Sequence, residues 1–404
     1  MNGNGTITSG GPFDGQFTLG VEEEFQLVKA DTGELYSYIS RLLEDGKSLL
    51  RERVRSEMHQ SVVEVGTNVC PDVAAVRAEL TELRCDLSEL AAKGGMRIIA
   101  ASTHPFSDWR QQEIVDQPRY HEIVEEIQDI ARANLIFGLH IHVGIHDKEA
   151  AIALTNQVRY FLPHILALTT SSPLWIGRNT GLMSHRTEVF KRFPRTGIPD
   201  VFDSYSHFKD FVDLLVKTGC IDNGKKIWWD VRPHHVYDTV EIRICDMPTR
   251  LEHTVTIVAL VQALMAKLYM LYRKNMAWRT YSRGLIEENK WRAARWGIKG
   301  KLIDFGESRE RPFPELAKEL INFVREPAEI FGTEEEVAGV FGILKEGTSA
   351  DRQVEILRQT NGNNKAVVDW LVQETMRGVV PPPVRSQHFI LPSEPEPTED
   401  PPSR

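Results

Sequence analysis

The sequence predicts an α+β fold, an antiparallel sheet backed by helices. Strand-like segments lie before residue 250 and helical ones after it, without the steady strand–helix alternation of a parallel sheet. Several strand segments also alternate between apolar and polar residues, the pattern of a sheet with one face packed and the other open.

Residues 17–28 and 62–69 read as strands, the second ending at Cys70-Pro71. A helix follows. Asp72 caps it, Val73, Val76, Leu80, Leu83, Leu87 and Leu90 recur at three- and four-residue spacing, and Gly94-Gly95 stop it. Residues 97–101 return to strand character. In 138–145, Leu139, Ile141, Val143 and Ile145 share one face, while His140, His142, Gly144 and His146 share the other. In 239–246, Val240, Ile242 and Ile244 point inward, and Glu241, Arg243 and Cys245 point away. The Gly/Pro-rich stretch 172–199 reads as a long ordered loop. Helices are expected at 252–274, 314–324, 334–344, 351–359 and 365–377, with a capping box from Thr333 to Glu336. Residues 1–16 read as a flexible leader, 17–378 as one catalytic body, and 379–404 as a disordered Pro/Glu-rich tail.

Composition excludes several classes. With 41% hydrophobic and 26% charged residues in 404, the chain is ordinary globular protein. A formal charge of -9 argues against general affinity for nucleic acid or anionic membrane. The greasy stretch 255–271 is interrupted by Gln262 and Lys267, so it reads as a buried helix. No secretory signal is legible at the N-terminus. Cys70, Cys85, Cys220 and Cys245 lie far apart with no C-x-x-C pair, which fits a reducing cytoplasm.

The chemistry concentrates on the strands. Strand periodicity puts Glu22 and Glu24 on one face, about 6–7 Å apart. Two carboxylates so placed repel unless cations lie between them, and hard divalent ions are the natural partners. A solvated edge strand is the plainer reading, and Glu23, aimed at the apolar side, is unexplained by alternation. His140 and His142 form an H-x-H pair suited to metal or phosphate, or to a structural role. Glu241 and Arg243 add an acceptor and a fixed cation, or a cross-strand salt bridge. Glu57 and Glu64, seven residues apart, reach one ion only if a bend intervenes, which favours Glu64. Arg178, Arg186, Lys191, Arg192 and Arg195 crowd the 172–199 stretch, where they bind anions or simply face solvent. Residues 219–226 have P-loop spacing, but Lys226 stands where Ser or Thr should meet magnesium, so a turn is expected. No dinucleotide fingerprint, H-E-x-x-H or G-x-S-x-G motif occurs.

In order, Thr18-Leu19-Gly20-Val21-Glu22-Glu23-Glu24-Phe25, Glu64 with Thr67-Asn68-Val69-Cys70, Thr103-His104-Pro105-Phe106, Gly138-Leu139-His140-Ile141-His142-Val143-Gly144, Ser172-Pro173, Trp229-Asp230-Val231-Arg232-Pro233, Thr239-Val240-Glu241-Ile242-Arg243, and Asn289 with Arg292, Arg295 and Gly297 form a specific set. Together they resemble the glutamate-cysteine ligase type 2 family, bacterial carboxylate-amine ligases distantly related to glutamine synthetase. The resemblance implies a glutamine synthetase-like curved antiparallel sheet, a half-open funnel backed by helices, with a helical C-terminal part. It implies ATP and two or three Mg²⁺ or Mn²⁺ ions: Glu24 and Glu64 at one, Glu22, His140 and Glu241 at another. Catalytic roles fall to Arg243, Arg186 and His142, and nucleotide binding to Arg178, Arg243, Asn289 and Arg295. Glu57 is the weak member of the set. The implied reaction activates the γ-carboxylate of glutamate, or a similar acid, as an acyl phosphate for attack by an amine, with weak glutamate-cysteine ligation among its forms. Small-molecule substrates, a homodimer and a cytoplasmic location accompany it. Two readings compete: a zinc-dependent hydrolase built on His140 and His142, and a non-catalytic ligand-binding relative.

Overall fold

The computed structural model describes residue 13, residues 16–45 and residues 53–380. The expected leader and tail lie outside the described residues apart from residues 13, 16, 379 and 380. Phe13 is not a loose end: it is buried edge-on against Phe17.

A seven-stranded sheet organises the molecule. Its strands are β1 (Leu19–Lys29), β2 (Val54–Ser56), β3 (Val62–Gly66), β4 (Met96–Ile99), β5 (Leu139–Gly144), and, after short strands named below, β10 (Val231–Pro233) and β11 (Thr239–Ile242). The order is β10-β11-β5-β1-β3-β2, and β4 pairs with the far half of β1. Every pairing is antiparallel. β1 is long enough, at 11 residues, to hold β5 and then β4 along one edge while β3 pairs with the other.

One face of this sheet is sealed by helices. Val21, Phe25, Val63, Val65, Leu139, Ile141, Val143, Val240 and Ile242 are all buried in one apolar core. Helix Val73–Lys93 packs on β1 and β4, and helix Leu251–Arg273 on β5. The latter is long and apolar enough to span a membrane, but its apolar window is 83% buried within the protein, as the helix of a core is. Asp72 caps Val73–Lys93 by accepting from Ala75 N, and Gly95 turns the chain with φ +72°. Glu23 finds its explanation here. It points to the helical face and pairs with Arg84 of Val73–Lys93 at 2.5 Å, both side chains fully buried, with Thr254 Oγ1 donating to it at 3.0 Å.

Several expectations need correction. The stretch 172–199 is not a loop: it forms the hairpin β6 (Leu174–Trp175) and β7 (Arg178–Asn179), helix His185–Phe190, and β8 (Thr196–Gly197), which pairs with β9 (Trp228–Trp229). Thr333 makes no capping bond; the capping box of this region is Thr348 with Asp351. The strand expected at 239–246 stops at Ile242, because the Asp230 carbonyl accepts from both Arg243 N and Ile244 N and bends the chain. Helices Lys148–Val158, Leu162–Thr169, Tyr205–Lys217 and Arg283–Trp296 were not expected, nor was the hairpin β12 (Lys301–Asp304) and β13 (Arg309–Pro312).

Candidate active site

Register turns the sheet's open face into a site. Side chains of directly opposed residues in antiparallel strands point the same way. Across β2, β3 and β1, Arg55 faces Glu64 and Glu64 faces Glu24. Glu22 faces His140 across β1 and β5; His142 faces Glu241, and Glu241 faces Arg232, across β5, β11 and β10. Glutamates, histidines and arginines from six strands thus share one surface, over a cavity of about 410 Å³. Four of the lining residues are glutamates (Glu22, Glu24, Glu57, Glu64) and six are cationic (Arg55, Arg119, Arg186, Lys225, Arg232, Arg243). Such a lining suits an anion accompanied by metal more than an apolar ligand.

Two ligand clusters stand side by side. Carboxylate oxygens of Glu24, Glu57 and Glu64 lie within 4.8 Å of one another, and so do ligand atoms of Glu22, His142 and Glu241. Glu57 joins the first because the chain turns between β2 and β3, so Glu57 and Glu64 come from two arms of a hairpin. His142 rather than His140 completes the second; His140 Nδ1 instead sits 3.2 Å from Glu22 Oε2.

Their electrostatics differ. Burial and the neighbouring Glu57 charge push Glu24 up to about 8, and burial with the charges of Glu22, Glu57 and Glu24 pushes Glu64 well above the carboxylate range. Three crowded carboxylates whose ionisation burial opposes are a donor set that fits a hard divalent ion. In the second cluster burial opposes ionisation of Glu241, yet Arg243 and Arg232 hold it well below the usual range. Arg232 Nε donates to Glu241 Oε2 at 2.7 Å and Arg243 Nη1 donates to Oε1. Burial likewise opposes ionisation of Glu22, but hydrogen bonds from His140 and His142 keep it low. Burial drives His140 down to about 4, whereas the Glu22 hydrogen bond and the Glu241 charge overcome burial and raise His142.

A profile of glutamate-cysteine ligase family 2 matches residues 18–374. The chain belongs to this family. A relative in Sorangium cellulosum, named "Putative glutamate–cysteine ligase 2", is 63% identical over 371 residues, covering 91% of this chain and 99% of its own. One of the same name in Herpetosiphon aurantiacus is 51% identical, covering 90% and 94%. Among solved structures, a glutamate–cysteine ligase from Francisella tularensis in complex with AMP superposes with TM-score 0.65 at 14% identity, covering 89% of each chain. A bifunctional glutathione synthetase from Pasteurella multocida gives 0.64 at 15% identity; this chain spans 90% of itself but only 53% of that longer protein. At such identities the structures show the shared fold: an open antiparallel sheet with helices behind it.

The remaining expected residues of this family member divide. Arg186 lines the cavity; its guanidinium passes so close to Gly138 that a Cβ there would meet Nη2 at 2.5 Å. Arg243 lines it too, and the buried Nε atoms of both arginines have no hydrogen-bond partner among the described residues. Arg178, Asn289 and Arg295, expected at the nucleotide, are not brought to the cavity. Arg178 is exposed on the β6–β7 hairpin. Asn289 clamps β12, donating to Ile303 O at 2.8 Å and accepting from Ile303 N at 2.7 Å. Arg295 donates to the Gly181 carbonyl. Arg232 and Asp230 stand in the 229–233 motif, but neither is given a role there. Arg232 lies nine residues before Glu241 and opposite it across a hairpin, so recognising 231–242 as one hairpin supplies its role. Asp230 organises the bend at Arg243 and is itself held by Lys290 at 2.6 Å.

Proposed function

We propose that this chain is an ATP-dependent carboxylate-amine ligase joining the γ-carboxylate of glutamate, or a similar acid, to an amine through an acyl phosphate. The observation that carries the reading is the pair of carboxylate-rich clusters, side by side on one sheet face within a cationic cavity. A carboxylate is a poor electrophile. Its oxygen attacks the γ-phosphorus of ATP and ADP leaves; the amine nitrogen then attacks the acyl carbon, phosphate leaves, and the amine proton passes to solvent or base.

Glu24, Glu57 and Glu64, and Glu22, Glu241 and a histidine of the H-x-H pair, would hold Mg²⁺ or Mn²⁺, which would neutralise the phosphate and carboxylate oxygens. The chain's own groups do the rest. Arg243 and Arg186 bring fixed positive charge, with unpartnered Nε–H groups, to where negative charge develops. His142 is oriented by Thr239, whose Oγ1 lies 3.1 Å from Nδ1. The helical back of the sheet holds these groups in place, and so limits reorganisation during reaction. Four free thiols, three of them buried, suit the reducing cytoplasm.

A zinc hydrolase on His140 and His142 is disfavoured by the site's chemistry, since both clusters are dominated by carboxylate oxygens. The two readings separate by calorimetry and product assay. The ligase binds ATP with Mg²⁺ or Mn²⁺, loses that affinity in EDTA, and sustains ADP production over many turnovers only when an acid and an amine are both supplied. ATP affinity equal with and without metal, or hydrolysis without nucleotide, overturns the proposal.

A further inference from the structure

The segment with P-loop spacing, refused above because Lys226 stands where a hydroxyl belongs, forms a turn ending in the short helical turn Gly224–Lys226. That turn lies at the mouth of the cavity. Lys225 lines the cavity, is exposed, and makes no ion pair within 4.0 Å among the described residues; Lys226 points elsewhere, to Asp222 at 3.5 Å. The other cations at this end, Arg232 and Arg243, are both engaged by Glu241. Among the described residues, Lys225 is therefore the cation at this end with no carboxylate to satisfy it.

Its backbone is fixed although the side chain is free. Asn223 Oδ1 accepts from Lys225 N at 2.9 Å. The Lys225 carbonyl accepts from Arg232 Nη1 at 3.1 Å, and the Ile227 carbonyl takes the same group. Gly224 fits against the His235 ring, where an added Cβ would meet Nδ1 at 2.8 Å. Arg232 thus ties the turn to Glu241: the guanidinium that holds the cluster carboxylate also sets where Lys225 starts. A lysine anchored at its backbone, free at Nζ and facing a cluster that suits metal–phosphate, matches what an anionic ligand at this mouth requires.

We propose that Lys225 binds the phosphate chain of the nucleotide, donating from Nζ to a phosphate oxygen at the Glu241 end of the cavity. The inference rests on the ATP-dependent reading and is tested by binding, without turnover. Calorimetry with Mn²⁺ present compares ATP and AMP on wild type, Lys225→Met, Lys225→Arg and Lys226→Met. Lys225→Met is expected to weaken ATP binding by about tenfold, the scale of one lost phosphate contact, and to leave AMP within about twofold. Lys225→Arg restores most of the ATP affinity, and Lys226→Met matches wild type; equal melting temperatures verify the fold of each variant. ATP binding by Lys225→Met within about twofold of wild type overturns the lysine's role while leaving the nucleotide reading intact. Equal losses of ATP and AMP assign Lys225 elsewhere than the phosphates and overturn it too. A wild-type protein that binds no ATP sinks the nucleotide reading itself.

Discussion

Glu241 shows how a single side chain serves two demands. It is 1% exposed, pairs with two guanidinium groups, and has a carboxylate oxygen within 4.8 Å of ligand atoms of Glu22 and His142. The E-x-R pattern alone leaves salt bridge and ligand as alternatives; in the fold Glu241 is salt-bridged and also sits within ligand distance of Glu22 and His142. Glu241→Gln keeps the shape and removes the charge that balances Arg232 and Arg243. It is expected to cost on the order of 3 kcal/mol in metal-free protein, read by urea unfolding, and to abolish ligation. A variant as stable as wild type would show that the arginines find other partners.

At the scale of elements, β1 joins two chemistries. Glu22 and Glu24 face the cavity, while Glu23, between them, locks the strand to the helices behind. Arg84 is the hub: besides Glu23 it donates to Thr249 O and Thr375 O, both at 3.0 Å, so it ties helix Val73–Lys93 to distant parts of the chain. Replacing a buried ion-pair member strands its partner, at about 3–5 kcal/mol. Glu23→Gln strands one guanidinium, but Arg84→Met strands a carboxylate and two carbonyls. Arg84→Met is therefore expected to be the more destabilising, measured by urea midpoints. The reverse order would mean that Arg84 acts through Glu23 alone.

Across the whole molecule, buried histidines make one contribution to the response to acid, and the raised carboxyls of Glu24 and Glu64 make one of opposite sign. Burial pushes His59, His104, His140, His164, His185, His234 and His253 each down to about 4. Between that value and the ordinary 6.5 the unfolded chain binds more protons than the folded one, so these groups make stability rise with pH across the window and stop contributing above it. His104 is decisive because its Nδ1 accepts from both Phe106 N and Ser107 N, at 3.2 and 2.9 Å, and cannot do so protonated. His104→Asn keeps an acceptor there and removes the proton. The stability difference between pH 5 and pH 7 is expected to shrink by roughly 2 kcal/mol in this variant, by urea unfolding at each pH. An unchanged difference would place the acid sensitivity in other groups.

The sequence by itself determined the α+β class, the strands that carry Glu22, Glu24, Glu64, His140, His142 and Glu241, and the family. These are local properties: period-two alternation assigns a face, and caps and glycines mark where elements stop. Only the tertiary structure decided what each face meets. Glu23 looked misplaced until Arg84, 61 residues on, met it from the helix packed on that face of the sheet. Glu57 could not be ranked without the β2–β3 turn, nor Arg232 without the β10–β11 register. Asn289 and Arg295 were assigned to the nucleotide through the motif that holds them, yet they bond backbone and do not line the cavity. Spacing along a chain fixes the side on which a residue emerges, whereas register and the packing of distant elements decide its neighbours. Charge and metal chemistry depend on those neighbours.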